Sequence, residues 1–483
     1  MVTIKRVARN ILVTISAEIV TKIFGLILTI IIARYLGDSG FGIYSFIITM
    51  MMLFQVLADF GLDTMTIRDI SKDTGNASSL LSNILLLKIC LSLINFLFMV
   101  FAIGLMHKPP AIVYGTYIAG LSVIFFSLAN TFSSVFNAYE KMYVKSFILV
   151  VAKALTLILT VLAVVLKKDF IALIIIILVS EMFRTSLSVA IYSKYFGRVN
   201  LRIDPTLCKK LFFAALPFAL ISLVSLIYFK IDIIMLSLMK NDQVVGWYSA
   251  AYALLAALLF ISDAYNLSIF PVLSRYAVSA KDLLAFGWER SVKYLLMISV
   301  PIATGTTVLA DKIIVLFYKS GYSPAVPALK VLIWTLPWIF INSINVKVFY
   351  ATDKQKGLTR VVIFSTFLNI ALNFSLIPAF SYMGASVATL VSEIVNVCIC
   401  FWLIHRSLGF RISTAGSLTK PIIASVMMGA VVYYLRFLGV LPAIFVGIFS
   451  YSVFLFLFGA FDSKDRMVIK EIISPITVKS GDN

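Results

Sequence analysis

Six basic side chains stand inside stretches that are otherwise almost wholly apolar: Lys22, Lys88, Lys153, Arg184, Lys230 and Lys347. A charge at the centre of a bilayer costs about 2.5–3.5 kcal/mol on insertion scales, so such groups pair locally, reach the headgroups or line a wet cavity. Spacing separates them. Lys22 follows Glu18 by one turn and Arg184 follows Glu181 by three residues, which allows an ion pair on one helix face in each case. Lys347 lies near the end of its stretch, where snorkelling accounts for it. Lys230 and Asp232 are two apart and point to different sides, while Lys88 and Lys153 have no carboxylate within a turn. Lys88, Lys153 and Lys230 are therefore the foremost candidates for a cationic cavity, with Lys22 and Arg184 beside them. The natural partner of such a cavity is an anion, because phosphate oxygens match Lys and Arg and a low dielectric strengthens the attraction.

Carboxylates in apolar stretches are fewer: Glu18, Asp59, Glu181, Asp232, Asp263 and Glu393, with Asp63 near the end of the second stretch. Asp59, Glu181 and Asp263 are candidates for coupling to protons or sodium. For Asp59 and Asp263, near helix ends, a fold-stabilising hydrogen bond is the alternative. Nothing points to a metal or a cofactor. Four cysteines (Cys90, Cys208, Cys398, Cys400) form no disulfide framework, Cys398 and Cys400 fall on different sides of a helix, and His107 and His405 lie far apart. No nucleotide-binding loop appears.

The elements that position these groups follow from composition. Of 483 residues, 61% are hydrophobic and 13% charged, half the charge of an ordinary soluble domain. A bilayer core needs roughly 20 apolar residues per helix. Fourteen segments qualify: 10–33, 42–67, 80–105, 112–136, 145–166, 170–192, 211–237, 246–271, 291–317, 328–350, 358–378, 383–404, 421–440 and 441–460. The first apolar run carries no cleavage motif and is expected to be a span rather than a leader. The longest links, Ser193–Lys210, Leu273–Arg290 and His405–Lys420, are too short to fold as domains. The expected class is an all-α polytopic membrane protein.

The 41 Lys and Arg against 22 Asp and Glu give a formal net charge of +19, which at first suggests nucleic acid. The basic residues, however, follow the topology: 26 fall in alternate links and tails and 7 in the others. That bias places both termini in the cytoplasm and explains the charge without nucleic acid.

The chain also repeats. Gly42-Ile43-Tyr44-Ser45 matches Gly246-Trp247-Tyr248-Ser249 at an offset of 204, which maps Asp59 onto Asp263. Leu178-Val179-Ser180-Glu181 matches Leu390-Val391-Ser392-Glu393 at 212, which maps Gly197 onto Gly409. An offset of six spans keeps both halves the same way up, a parallel repeat of the kind that holds substrate at the repeat interface. The expected organisation is an N-terminal lobe (1–200), a C-terminal lobe (201–410) and a segment 411–483 with two extra spans and a cytoplasmic tail. Proline breaks the symmetry. Spans 1–6 have none, whereas Pro217, Pro301 and Pro337 sit inside later spans and Pro271 ends span 8, as kinks for gating or as tolerated residues.

Longer motifs carry a resemblance. Ala33-Arg34-Tyr35-Leu36-Gly37 through Phe41-Gly42-Ile43-Tyr44-Ser45, Ala58-Asp59-Phe60-Gly61-Leu62 and Arg68-Asp69-Ile70-Ser71 open it. It continues with Tyr228-Phe229-Lys230-Ile231-Asp232, Val245-Gly246-Trp247-Tyr248-Ser249-Ala250-Ala251 and Phe270-Pro271-Val272-Leu273-Ser274. Asn369 through Asn373, Ile377-Pro378, Met383-Gly384-Ala385 and Ser392-Glu393 complete the series. In this order they resemble the polysaccharide-exporting branch of the multidrug/oligosaccharidyl-lipid/polysaccharide flippase superfamily, the group with Wzx-type flippases. The resemblance implies a MATE-like fold of two six-helix lobes around a cavity, plus two C-terminal helices. It implies a non-enzymatic flippase for a polyprenyl- or dolichyl-diphosphate-linked oligosaccharide, working by alternating access in the cell membrane, with glycan-assembly proteins as partners. Lys22 and Lys230 match commonly basic positions of the family, while no motif anchors Lys88, Lys153 or Arg184. A peptidoglycan-precursor flippase and a multidrug exporter of the same fold are the alternatives, although six cations within spans suit a cationic drug poorly. A monomer is expected, since two lobes already form a pathway.

Overall fold

A computed structural model describes residues 2–73, 75–197, 199, 203–410 and 415–460. The side chains of 2–12, 15, 221, 279 and 415–418 are not among the described ones, so Lys5, Arg6 and Arg9 carry no side-chain description. Arg198, Arg202, Arg411 and the tail from 461 onward lie outside the described residues.

Every regular element among the described residues is helical. The first half holds α1 (Val2–Asp59), α2 (Leu62–Lys72), α3 (Ala77–Leu105), α4 (Pro110–Ala138), α5 (Met142–Val165) and α6 (Phe170–Phe196). Then come α7 (Pro205–Met239), α8 (Asp242–Leu258), α9 (Phe260–Ser279), α10 (Lys281–Tyr318), α11 (Ala325–Leu332), α12 (Thr335–Ala351) and α13 (Gln355–Leu408). Two further helices, α14 (Ala415–Leu435) and α15 (Val440–Leu457), close the series. Among the described residues, twelve continuous helical stretches are long and apolar enough to cross a membrane. Large apolar side chains such as Phe98, Phe101, Phe445 and Phe456 stand more than half exposed on their outer faces. In water such a surface would aggregate, and in lipid it is the solvated face.

Two stretches bend sharply instead of ending. Gly37 (φ 70, ψ −179) turns a corner within α1, and Ser381 (φ 55, ψ −137) does so within α13. Gly37 meets that backbone without cost, whereas Ser381 holds a conformation that a Cβ disfavours. Ser381→Gly is expected to raise stability by about 1 kcal/mol, read as a higher thermal unfolding midpoint in detergent. A lower midpoint would mean that the serine side chain, not the backbone, secures the corner.

Short links are capped locally. Asp169, Asp204 and Asn241 accept hydrogen bonds from the first backbone N–H groups of α6, α7 and α8. Gly197 (φ 81) and Gly409 (φ 75), matched by the 212-residue offset, both end their helices at positive φ, but only Gly409 (ψ 11) is a left-handed cap, Gly197 being extended in ψ (−170). Elsewhere the boundaries differ from the hydropathy reading. The second apolar segment breaks at Phe60 and Gly61, the eighth at Leu259, and 328–350 is divided into α11 and α12. The link expected at Leu273–Arg290 is almost wholly helical, and Arg290 and Lys293 are buried in α10 rather than loop-borne. Pro271 lies inside α9 instead of ending a span, and Pro337 occupies the first turn of α12.

The corner in α1 lets its second part pack on α3, α4 and α6, through Phe46, Ile47, Met50 and Phe54. Its Ile32, Ala33 and Phe41 join the larger core formed by α7 to α13. At the other end of the helices, Leu62 and Met65 of α2 and Ile84 of α3 pack with Leu211 and Ala215 of α7. The α14 and α15 helices attach to α10 through Met297, Leu309, Met428 and Tyr451.

Candidate functional site

The α1 helix brings Lys22 beside α9, 241 residues away in the chain, where its Nζ lies 2.7 Å from Asp263 Oδ2. Both side chains are substantially exposed, at 41% and 62%. They line a small open cleft of about 30 Å³ with Glu18, Ile19, Phe260, Ala264 and Leu267. The alternative that spacing allowed, Lys22 paired with Glu18, is not formed, although Glu18 faces the same cleft.

The remaining cations divide by environment. Lys153 of α5 is half-buried with its stem passing Gly25 of α1, one turn beyond Lys22. Glu181 and Arg184 of α6 are its charged neighbours. Arg184 itself is buried. It forms the i,i+3 pair with Glu181 at 3.1 Å, donates to Asn130 Oδ1, and stacks 4.9 Å from the Phe126 ring centroid. Lys153 thus passes α1 at Gly25, with Glu181 and Arg184 as its charged surroundings.

Lys88 is elsewhere. Its side chain is fully buried, and its Nζ lies 2.8 Å from Asp59 Oδ1 and 2.6 Å from Asp63 Oδ1. It faces this carboxylate pair, not an open cavity. Asp59 also accepts the N–H groups of Gly61 and Asp63 at 3.2 Å, so it caps α2 across the break. Its repeat-equivalent Asp263 instead takes an exposed lysine from the other half. Asp63 was absent from the candidate set. Its place four residues after Asp59 was the available signal.

Lys230 of α7 is half-buried, its Nζ 4.9 Å from the Tyr252 ring centroid, and it forms no ion pair among the described residues. Asp232 points to another side, as the two-residue spacing requires. Buried, it accepts from Tyr248 Oη at 2.5 Å, Thr389 Oγ1 at 2.9 Å and Asn373 Nδ2 at 2.9 Å. Asn373 and Thr389 flank the Ser381 corner, so this network ties both arms of α13 to α7 and α8. Lys347 lies 5.6 Å from the Phe270 ring centroid, away from the Lys22 cleft. Among the described residues no group of His, Cys, Asp and Glu is placed to hold a metal ion.

The site is thus a cross-half ion pair in a cleft that Glu18 and four apolar side chains complete, on a bundle of membrane-length helices. The family model described as polysaccharide biosynthesis protein matches residues 7–277, more than half of the chain. The chain belongs to that family. The matched region contains all five candidate cations. A probable low-salt glycan biosynthesis flippase of Haloferax volcanii, Agl15, is 25% identical over 228 residues, 46% of this chain and 48% of that protein. A probable lipid II flippase, MurJ, of Haemophilus influenzae is 26% identical over 235 residues, 44% of each. The matched stretches span about half of these relatives. The fold is that of a solved lipid II flippase MurJ in an inward closed conformation, with a TM-score of 0.78, 19% identity, and 95% and 100% of the two chains covered. It is MATE-like as well: an inward-facing multidrug resistance MATE transporter superposes with a TM-score of 0.67 and 13% identity over 80% of this chain and 94% of that one. The protein is therefore an all-α, multi-pass membrane protein with the fold shared by these structures.

Proposed function

We propose that this family member is a flippase for a lipid-diphosphate-linked saccharide, with a polyprenyl- or dolichyl-linked oligosaccharide as cargo. The observation that carries the reading is Lys22, a cation in the cleft between α1 and α9, held by a carboxylate that an incoming diphosphate can replace. Lys153, whose stem passes α1 at Gly25, and Arg184 of α6 are further basic groups on the N-terminal side. Lys230 would meet the headgroup from the other half. Lys88 takes no part in phosphate binding, because its ammonium is already held by two carboxylates.

The long stretches bent at Gly37 and Ser381 each count as two crossings, which makes fourteen spans: six, six and the α14–α15 pair. In this reading 1–200 and 201–410 are lobes that rock about the cleft. The diphosphate enters from the cytoplasm, displaces Asp263 from Lys22, and leaves outward while the isoprenoid tail stays in lipid. Asp263, released by cargo, is the best placed of the candidate ion-coupling carboxylates. Asp59 and Glu181 are each engaged within their own half. The Lys/Arg bias supports cytoplasmic termini in this reading, and a single chain supplies both lobes.

The likeness to lipid II flippases, in sequence over nearly half the chain and in fold over almost all of it, supports a second cargo, a peptidoglycan precursor. Both cargoes are anionic diphosphates, so charge does not separate them. Deleting the gene does. Accumulation of a lipid-linked oligosaccharide on the inner leaflet is expected, accumulation of peptidoglycan precursor would install the second reading, and accumulation of neither would overturn both.

A further inference from the structure

Gly42 and Gly246, matched by the 204-residue offset, are both buried where α1 meets α8. A Cβ on Gly42 would fall well under 3.0 Å from the backbone carbonyl oxygen of Asp242, and one on Gly246 equally close to that of Asp38. Asp38 and Asp242 are related by the same offset. The contact is therefore self-complementary: each repeat presses its glycine onto the carbonyl of its counterpart's aspartate, as in a two-fold interface. The Gly37 corner sets the direction of the Asp38 carbonyl, and the Asn241 cap sets that of Asp242. One side is reinforced. Trp247 Nε1 donates to Asp38 Oδ2 at 3.0 Å, and the Trp247 ring packs edge-on against Tyr382 beside the α13 corner. The first repeat carries Ile43 in place of that tryptophan.

The halves also meet at the opposite end, where Phe60 stacks on Phe212 at 4.8 Å and Gly61 abuts Phe218 and Ala215. That second contact joins unlike surfaces.

We infer that the Gly42/Asp242 and Gly246/Asp38 contacts form a gate at the Gly37 end of the molecule, one that closes only because both repeats lack a side chain there. This inference rests on the reading of alternating access between two halves. Adding a side chain at either glycine penalises the closed state alone, since in the open state the clash disappears. A tightly packed contact cannot absorb the extra atoms.

The test uses full-length protein in detergent with the four native cysteines replaced and Ser249→Cys added as a reporter next to the gate. A water-soluble maleimide is expected to label it about tenfold faster when Gly42→Val or Gly246→Val is present, by shifting the population toward the open state. Gly104→Val, at a site with open space for a side chain, is expected to change nothing. A second arm adds no bulk: Asp38→Cys with Trp247→Cys, bridged by a short reducible cross-linker, should halt export, and reduction should restore it. Unchanged labelling in both valine variants, or full export by completely cross-linked protein, overturns the gate. Labelling does not depend on cargo, so a gate that opens as expected in a protein that exports no glycan would sink the cargo reading and leave the gate standing.

Discussion

Lys22→Glu should reduce glycan export by about a hundredfold or more while the amount of membrane-inserted protein stays normal. The wild-type ammonium sits in an exposed cleft, so its ion pair with Asp263 adds little to stability. A reversed charge there faces Asp263 and Glu18 together, and it turns attraction for a diphosphate into repulsion. Charge-assisted hydrogen bonds are worth about 1.5–3 kcal/mol, and losing one with repulsion in its place is enough for the expected fall. Lys22→Arg should keep most activity. Asp263→Asn should act in the opposite sense on binding, lowering the cargo concentration needed for half-maximal transport, because no carboxylate then competes for Lys22. The charge-swapped pair Lys22→Asp with Asp263→Lys separates a latch from a phosphate holder. It restores the ion pair but moves the cation from α1 to α9. Export should remain low, and full recovery would show that the pair matters only as a latch. The measurement is flipping of a labelled lipid diphosphate saccharide in proteoliposomes, normalised to protein.

What the sequence made legible, and what it hid, divides along a physical line. Apolar length alone announced an all-α bundle of long membrane helices, because the bilayer dictates it, but not where each helix begins and ends. The Arg184–Glu181 pair was equally visible, since both residues share one helix face. The partners of Lys22 and Lys88 were not. Lys22 passes over Glu18, one turn away, for Asp263 on a distant helix, and Lys88 draws its acceptors from α1 and α2. Helical periodicity carries no information about such contacts, which arise when separate helices pack. The 204-residue offset did mark Asp59 and Asp263 as equivalent, and each does hold a lysine. Equivalence ended there: one pair is sealed inside a half and the other spans two halves in an exposed cleft. The breaks at Phe60 and Leu259 were hidden for the same reason. Apolar residues resume beyond both, and at the first the neighbours Phe218 and Ala215 press against Gly61.

Lys88 gives the opposite pattern to Lys22. Lys88→Met should cost about 3–5 kcal/mol of stability, because it leaves two carboxylates facing each other in a buried site without their cation. The protein is then expected to be scarce in the membrane and to unfold at much lower temperature in detergent. Loss of export should follow loss of protein and no more. The lysine joins four elements at one point: Asp59 ends α1, Asp63 belongs to α2, Lys88 to α3, and the Ser127 carbonyl of α4 accepts its hydrogen bond at 3.4 Å. Removing all the charges together tests whether charge balance is the cause. The triple variant Lys88→Met, Asp59→Asn, Asp63→Asn should recover most of the lost stability, since an apolar or amide-lined replacement of a buried ion cluster is often neutral. Asp59→Asn alone should be milder than Lys88→Met, because Asp63 still neutralises the lysine and the amide oxygen still caps α2. If Lys88→Met instead accumulates at normal levels with a normal unfolding midpoint but flips no cargo, the ammonium must act on substrate. The three-way ion cluster would then be a resting arrangement that cargo breaks open.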